Sequence, residues 1–355
     1  MRLLIIADDL TGALDSAVPF ASAGVRTVVA RRPADIDTAI ATGAHVIAVS
    51  TASREGNESA ARHTVAEAMT AVADTDCMVF KKVDSRLKGH VAAEVSVVAE
   101  QLGVRRAIIC PAIPEQGRYV RGGALVGCGV TEPISVADIL GGSPMEVCAP
   151  DADDEGDLLA IIAAAGSGDL LVGASGLARA LAQHLSSATI LPLARPRMVG
   201  AVLMAIGSRD PITVGQVEHL RQMHDSDWFG APNGCTVRQP GELRALTVVQ
   251  MLPGETVIAG EKASTNFSRT VLSFLDRGAR SLLCCGGETA DSILGCKGAG
   301  IIEVEGELVS GVPVGYAIID DKKLQIATKS GGFGAVDCLL DVAENIDFAS
   351  VSGLE

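Results

Sequence analysis

The sequence predicts an α/β protein of two domains built on mostly parallel sheets. Three observations lead there. Short apolar runs alternate with helix-period segments from one end to the other, as βαβ units require. The composition is 48% hydrophobic but only 3% aromatic, so the core must be packed from Ala, Val, Leu and Ile, which suits strands buried on both faces. The length of 355 residues matches two domains at about 100–200 residues each. The alternation fails at Ile190–Gly200, where Pro192 and Pro196 interrupt a stretch with no period. That stretch reads as a linker and gives domains at residues 1–190 and 200–355.

Taken in order, the apolar run Leu3–Ala7 reads as a strand that ends in Asp8-Asp9, and Gly12 opens the next helix. Val46–Ser50 is a second strand. Asn57 is the expected N-cap of a helix running to Ala73, with Val65, Met69 and Val72 on one face. Strands follow at Met78–Val83, Ala107–Cys110, Val147–Ala149 and Leu170–Val172, and a helix at Gly176–Leu185. After the linker come strand Val202–Ile206, a helix from Thr213 to Met223, and a less regular stretch from Asp227 to Gly241 that reads as a long loop. Strand Thr256–Ala259, helix Thr265–Leu275 and strand Ser281–Cys285 complete the alternation, with a further apolar strand before Lys329.

The net charge of −14 argues against nucleic acid and anionic membrane surfaces as partners, though a few local cations can still hold a small anion. Met1-Arg2 leads into an apolar run too short for a secretory leader, and no run is long enough to span a bilayer, so a cytoplasmic location is expected. The nine cysteines include no C-x-x-C pair and read as free thiols in a reducing compartment. No G-x-x-x-x-G-K-[ST] loop occurs, and no G-x-G-x-x-G follows the first strand, which excludes a P-loop and a Rossmann dinucleotide site there. The six histidines show no metal-ligand spacing, so no protein-held metal is expected.

Six segments carry candidate chemistry. Ala7 to Asp15 places Asp8, Asp9 and Asp15 near the end of a strand, where open α/β sheets bind ligands, although Asp9 or Thr11 would also serve as a helix cap. Lys81 to His90 gathers Lys81, Lys82, Arg86 and Lys88 with Asp84 at another strand end; strand alternation puts Lys82 and Asp84 on one face. Cys110 to Arg118 is a rigid loop ending in a guanidinium that matches a carboxylate bidentately. Gly207 to Thr213 is a strand-to-helix turn with hydroxyls. Gly286-Gly287-Glu288-Thr289 and Lys329-Ser330-Gly331-Gly332-Phe333-Gly334 are glycine turns that follow strands and precede helices. Such turns let the backbone approach a phosphate at a helix N-terminus, and two of them in one half suggest a nucleotide polyphosphate site.

Together these segments resemble the four-carbon acid sugar kinases, long catalogued as a family of unknown function. Members begin with a motif like A-D-D-[LF]-T-G-A-x-D, matched by Ala7 to Asp15, and carry K-K-[IV]-D-S-x-L-[RK]-G, matched by Lys81 to Gly89. They have P-A-[FI]-P-x-x-G-R, matched by Pro111 to Arg118, and then G-S-x-x-x-x-T, G-G-E-T and K-S-G-x-F-G, matched at Gly207–Thr213, Gly286–Thr289 and Lys329–Gly334. The resemblance implies an N-terminal sugar-acid domain and a C-terminal ATP domain, with the active site in the interdomain cleft. It implies ATP-dependent phosphorylation of the terminal 4-hydroxyl of a four-carbon sugar acid, with ATP and Mg2+ as cofactors. The 3-oxo-tetronate branch resembles K-x-C-S-T-F-D-S at the second motif. Here Lys82-Val83-Asp84-Ser85 is similar instead to the D-threonate and D-erythronate branch. A 3-oxo-tetronate 4-kinase and a non-catalytic regulator that binds sugar acid and nucleotide are the alternatives.

By that resemblance Asp9 or Asp84 is the expected general base. Asp8, Lys82, Ser85, Arg86 and Arg118 are the expected substrate contacts. Ser208, Gly286, Gly287, Glu288, Thr289, Ser330, Gly331 and Gly334 are expected at the nucleotide. The expected partner is the sugar acid; the sequence is silent on the oligomeric state and leaves a homodimer open. The chain departs from the pattern at Arg86, where Thr is usual, at Lys88, where Arg is usual, and at Leu14 and Gly332, where Asn is common. The added cation at Arg86 points to a different or more acidic substrate.

Overall fold

The computed structural model describes residues 1–73, 75–141, 145–186, 195–236, 238, 241, 243–319 and 322–347. The chain divides into two compact units, Met1–Leu193 and Ala194–Glu355. Of the expected linker at Ile190–Gly200, residues 190–194 lie outside the described residues; Val199 already belongs to the second unit, bridging Asp347.

The first unit runs β1 (Leu3–Ala7), α1 (Leu10–Ser22), β2 (Thr27–Ala30), α2 (Ile36–Ala41), β3 (Val46–Ser50), α3 (Glu58–Met69), β4 (Met78–Lys82), α4 (Val91–Leu102) and β5 (Arg106–Cys110). It continues with β6 (Arg118–Arg121), β7 (Ala124–Gly127), β8 (Ile134–Ser135), α5 (Val136–Ile139), β9 (Glu146–Cys148), α6 (Glu155–Ala164), β10 (Asp169–Gly173) and α7 (Ser175–Leu185). Its main sheet has the order β2-β3-β1-β4-β10-β5-β9, and every pairing in it is parallel. The central strand reads Leu-Leu-Ile-Ile-Ala and is buried at every position, because helices cover both faces of a parallel sheet. Strands β6, β7 and β8 form a small antiparallel sheet of their own. Asn57 caps α3 as expected, its side chain accepting from the Ala60 amide. Helix α1 starts at Leu10, before Gly12, because Asp9 caps it.

The second unit comprises β11 (Val202–Ile206), α8 (Pro211–Met223), β12 (Asp227–Pro232), β13 (Leu246–Leu252), α9 (Gly260–Leu275), β14 (Ser281–Cys285), α10 (Gly287–Cys296), β15 (Ile301–Glu307), β16 (Pro313–Ile319), β17 (Lys322–Lys329) and α11 (Cys338–Glu344). Strands β12-β13-β11-β14-β17 lie parallel, and β16 and β15 extend the sheet antiparallel beyond β17. Met204, Ile206, Leu283, Cys285 and Val314 from the sheet pack with Val217 and Leu220 of α8 and Leu339 of α11.

Two expectations need correction. Thr256–Ala259 is not a strand: Val257 is fully exposed, and the strand lies earlier, at β13, where Leu246, Val248 and Val249 are buried. Three apolar residues in a row mark a strand only where a layer covers them. The stretch from Asp227 is not all loop, because Asp227–Pro232 pairs in parallel with β13 as an edge strand and is held by the Trp228 indole, which donates to Gln250 Oε1 at 3.0 Å. A terminal Pro is tolerated there because an edge strand has one unpaired side.

Candidate active site

In the first unit β1 lies between β3 and β4; the chain winds from β1 out to β2, returns through β3 and then crosses to β4 on the other side. That reversal opens a crevice at the carboxyl ends of the strands, the usual ligand position in open α/β sheets. Three turns meet there: Asp8-Asp9 after β1, Thr51–Arg54 after β3 and Val83–Gly89 after β4. Arg54 is their hub. Its Nε and Nη2 donate to the two oxygens of Asp8 at 2.7 and 2.8 Å, and its Nη1 donates to Asp9 Oδ2 at 2.7 Å. Its Nη2 also lies 3.7 Å from Asp84 Oδ2. Burial by itself would raise the Asp8 carboxyl, but the hydrogen bonds and charge of Arg54, with Lys82 and Lys81, outweigh it and hold Asp8 below the usual carboxylate value. The guanidinium is likewise held charged: burial opposes its charge, and Asp8, Asp9 and Asp84 more than compensate. Ala52 and Leu87, on two of these turns, have left-handed φ of 49° and 57°, a conformation that costs a non-glycine residue about 1–2 kcal/mol and persists where the surroundings fix it.

The remaining contacts of the acids are local. Asp9 Oδ1 accepts from the Gly12 amide at 2.7 Å and its Oδ2 from the Thr11 hydroxyl at 2.8 Å, so Asp9 does cap α1. Asp84 Oδ1 accepts from the Arg86 and Lys88 amides at 2.9 and 3.3 Å. Strand alternation splits the two lysines. Lys81 is fully buried and pairs with Glu94 of α4 at 2.7 Å, while Ser53 donates to the other Glu94 oxygen. Lys82 turns the other way, toward α1. A Cβ on Gly12 would come 2.8 Å from its Nζ and 2.5 Å from Asp9 Oδ1, so the glycine is what leaves room for the ammonium beside the acid.

A cationic end adjoins the acids. Arg118 opens β6; its Nη1 donates to Ser85 Oγ at 2.9 Å and Gln116 Oε1 at 2.6 Å, and its Nε to the Cys128 carbonyl at 3.0 Å. Arg86 reaches the same place: a Cβ on Gly129 would lie 3.7 Å from Arg86 Nη1 and 3.9 Å from Arg118 Nη2. Burial first, and then the charge of Arg86, lower the Arg118 pKa from its ordinary value, and an anion placed here would oppose both effects. Among the described residues neither guanidinium is within ion-pair distance of a carboxylate.

The second unit repeats the arrangement. Its chain leaves β11 toward β13 on one side and β14 on the other, and the turns after β11, β14 and β17 lie side by side. The Gly207 and Ser208 amides both donate to the Cys285 carbonyl, at 3.1 and 3.0 Å, and the Gly286 amide donates to the Lys329 carbonyl at 2.9 Å. Gly286 caps α10 at φ 109°, a conformation suited to glycine, and contributes no side chain to the cap. The amides of Gly287, Glu288 and Thr289 thus form a first helical turn with no intrahelical acceptor. The glycine loop after β17 is pinned from α8: Thr213 Oγ1 donates to the Gly331 carbonyl, and Gln216 Nε2 to the carbonyls of Phe333 and Ala335 at 3.0 and 2.7 Å. A Cβ on Gly331 would collide with Ser208 Oγ. Lys329 is fully buried, with its Nζ 2.9 Å from the Ser330 carbonyl. Amides, hydroxyls and a helix start facing one crevice are what polyphosphate binding requires.

Each unit therefore brings together the residues expected of it. Asp8, Asp9, Lys82, Asp84, Ser85, Arg86 and Arg118 share one neighbourhood in the first unit; Ser208, Gly286–Thr289 and Ser330–Gly334 share one in the second. Arg121 is elsewhere, on the hairpin with Asp153 at 2.6 Å. Sequence reading missed Arg54, Gln116, Gly129, Gln216 and the positioning role of Thr213. Arg54 is separated from Asp8 by 46 positions and follows no motif; only its place just after a strand could have marked it.

These units are those of a two-domain protein that binds a sugar and a nucleotide. The family model described as "Sugar-binding N-terminal domain" matches residues 3–136, and that described as "Nucleotide-binding C-terminal domain" matches residues 230–339. The chain belongs to the four-carbon acid sugar kinase family, also known as DUF1537. It is 30% identical to a D-threonate kinase of Cupriavidus necator, covering 94% of this chain and 95% of the relative. It is 24% identical to a 3-oxo-tetronate kinase of Pseudomonas fluorescens, covering 94% of each. The fold matches a solved Haemophilus influenzae protein of the same family at a TM-score of 0.68 and 19% identity, covering 96% of this chain and 99% of the other.

Proposed function

We propose that this protein is an ATP-dependent kinase that phosphorylates the terminal hydroxyl of a four-carbon sugar acid, with D-threonate or D-erythronate as the acceptor. The observation that carries the reading is the Arg86–Arg118 pair beside Gly129, two guanidinium groups that, among the described residues, form no ion pair with a carboxylate in an otherwise acidic chain. Such a pair suits a carboxylate held by parallel N–H donors. Lys82 and Ser85 lie along the path from that end to the acids, where the hydroxyls of a short sugar acid would meet Asp8, Asp9 and Asp84. One of Asp9 and Asp84 accepts the proton of the terminal hydroxyl.

The nucleotide would lie across the three turns of the second unit, its phosphates on the amides of Gly287–Thr289 and Ser330–Gly334 and on the Ser208 hydroxyl. Gly331 is what lets this turn pack directly against the Ser208 hydroxyl, which sets that hydroxyl beside the backbone of the glycine loop, as a polyphosphate held by backbone and hydroxyl groups needs. Magnesium would enter with the nucleotide. Among the described residues no three His, Cys, Asp or Glu side chains converge as a metal cage, so its ligands would be phosphate oxygens and water. When bound it neutralises phosphate charge, and the protein's own share is positioning and charge complementarity.

The second motif, Lys82-Val83-Asp84-Ser85, favours the D-threonate and D-erythronate acceptors over 3-oxo-tetronate. ADP release should be measured with the C2 and C3 epimers of the four-carbon sugar acids and with 3-oxo-tetronate. Turnover of a threonate or erythronate epimer supports the assignment, and turnover of the 3-oxo acid alone moves it to the other branch. Binding of acid and ATP with no ADP released would make the protein a regulator.

A further inference from the structure

The three carboxylates at the end of β1 and β4 are not equivalent, and their hydrogen bonds separate them. A carboxylate oxygen offers two acceptor positions. Arg54 Nε and Nη2 each bond one oxygen of Asp8, which is buried behind the guanidinium. Asp9 Oδ2 is filled by the Thr11 hydroxyl and Arg54 Nη1, and its Oδ1 is committed to the Gly12 amide, the capping bond of α1. Asp84 differs. Its Oδ1 takes the Arg86 and Lys88 amides, which fix the plane of the carboxylate, but its Oδ2 accepts no hydrogen bond from the described residues. The nearest cation to that oxygen is Arg54 Nη2 at 3.7 Å, beyond hydrogen-bond range. Asp84 also stands between the acids and the cationic end, because Arg118 bonds to the adjacent Ser85 and the Arg86 amide bonds to Asp84 itself.

We propose that Asp84 is the catalytic base, acting through Oδ2, and that Arg54 is the positioning residue that withdraws Asp8 and Asp9 from that role and orients all three acids. The assignment rests on the kinase reading above. In the step, Asp84 Oδ2 takes the proton of the acceptor hydroxyl as its oxygen forms a bond to the γ-phosphorus of ATP. The bond from that phosphorus to the bridging oxygen breaks, and ADP leaves with the electron pair. The proton on Asp84 then passes to water.

The test uses the full chain and an acid on which the wild type turns over. Single-turnover rates are measured for Asp84→Asn, Asp9→Asn, Arg54→Lys and Arg54→Gln, with ATP affinity and circular dichroism as controls of folding. Asp84→Asn should lower the rate by about 10²–10⁴-fold, the usual share of general-base catalysis, with sugar-acid affinity retained. Asp9→Asn should lose less than about tenfold, because Asn still caps a helix. Both Arg54 variants should lower kcat while the KM for ATP stays near wild type. The pH profile distinguishes positioning from simple structural support. The other charged or titratable groups facing the cluster are Asp8, Asp9, Lys81, Lys82, Arg86, Lys88, His90, Glu94 and Arg118. Arg54 is what holds Asp8 low, so loss of its charge lets Asp8 take up a proton at higher pH, and the acidic limb of kcat should move to higher pH in Arg54→Gln and stay near wild type in Arg54→Lys. A larger loss in Asp9→Asn than in Asp84→Asn overturns the assignment, and so does an unmoved acidic limb with unchanged kcat in Arg54→Gln. If the wild type turns over none of the acids, the kinase reading falls and takes this assignment with it; if only the variants disagree, the kinase reading stands.

Discussion

Arg118 is a buried cation whose near neighbours include a second cation, and burial and that neighbour both oppose its charge, so an anion alongside would stabilise it. It is held by Ser85, Gln116 and the Cys128 carbonyl, all neutral acceptors, and pairs directly with no carboxylate among the described residues. Arg118→Ala should raise the sugar-acid KM by the equivalent of about 2–5 kcal/mol and leave the ATP KM near wild type. Steady-state kinetics with each substrate varied in turn decides it; a parallel rise in both KM values would assign Arg118 to folding. At this scale the sequence was legible where charge sits in a motif and opaque where it does not. Asp8, Asp9, Asp84 and Arg118 are visible because strand ends and glycines frame them. Arg54 sits in an ordinary loop between β3 and α3, and nothing local says that its guanidinium meets three acids from two other turns. Hub residues of this kind are set by the parallel pairing of β3, β1 and β4, which is a long-range property.

Among the elements, β4 and α4 are tied by the Lys81–Glu94 pair, buried and 2.7 Å long, with Lys81 Nζ also 2.7 Å from the Lys82 carbonyl. Removing one partner strands a charge in the core, whereas replacing both with apolar side chains of similar size does not. Lys81→Met alone should destabilise the first unit by about 3–5 kcal/mol, and adding Glu94→Leu should recover most of that. Chemical denaturation of the single and double variants measures the difference. Equal stability of both would mean that water or relaxation compensates Glu94. Strand periodicity could not identify this pair, since it names the face of Lys81 but not its partner on a helix 13 positions on. Elements themselves were legible where apolar runs are long and buried, as in β1, β3, β11 and β14, whose bounds follow from the pattern alone. They were illegible where burial is partial. Edge strand β12 reads as a loop because only Phe229 and Ala231 of its residues are buried. The exposed Val257 reads as strand because sequence does not report what covers a residue.

At the scale of the whole molecule, the two units follow one plan. A first strand sends the chain to either side, and the turns at its carboxyl end and those of its neighbours carry the polar groups. The chemistry differs because the turns differ: acids and guanidinium groups in the first unit, glycines and hydroxyls in the second. With a net charge of −14, long-range attraction cannot recruit anions, so affinity must come from these short-range cradles. Hydrogen exchange on the intact chain tests the division of labour. ATP with magnesium should slow exchange at residues 207–213, 286–290 and 329–335, where amides lack backbone partners or sit in glycine turns. D-threonate or D-erythronate should instead slow exchange at 8–13, 51–56, 82–90 and 116–129. Backbone amides that bind phosphate become hydrogen-bonded donors, so the ATP effect should be largest at Gly287–Thr289, the unsatisfied first turn of α10. Protection by ATP centred on Asp8–Gly12 would reverse the assignment, because that turn presents carboxylates that repel a polyphosphate. Protection by the sugar acid confined to the second unit would separate Arg86 and Arg118 from substrate recognition and leave their paired positive charge unexplained.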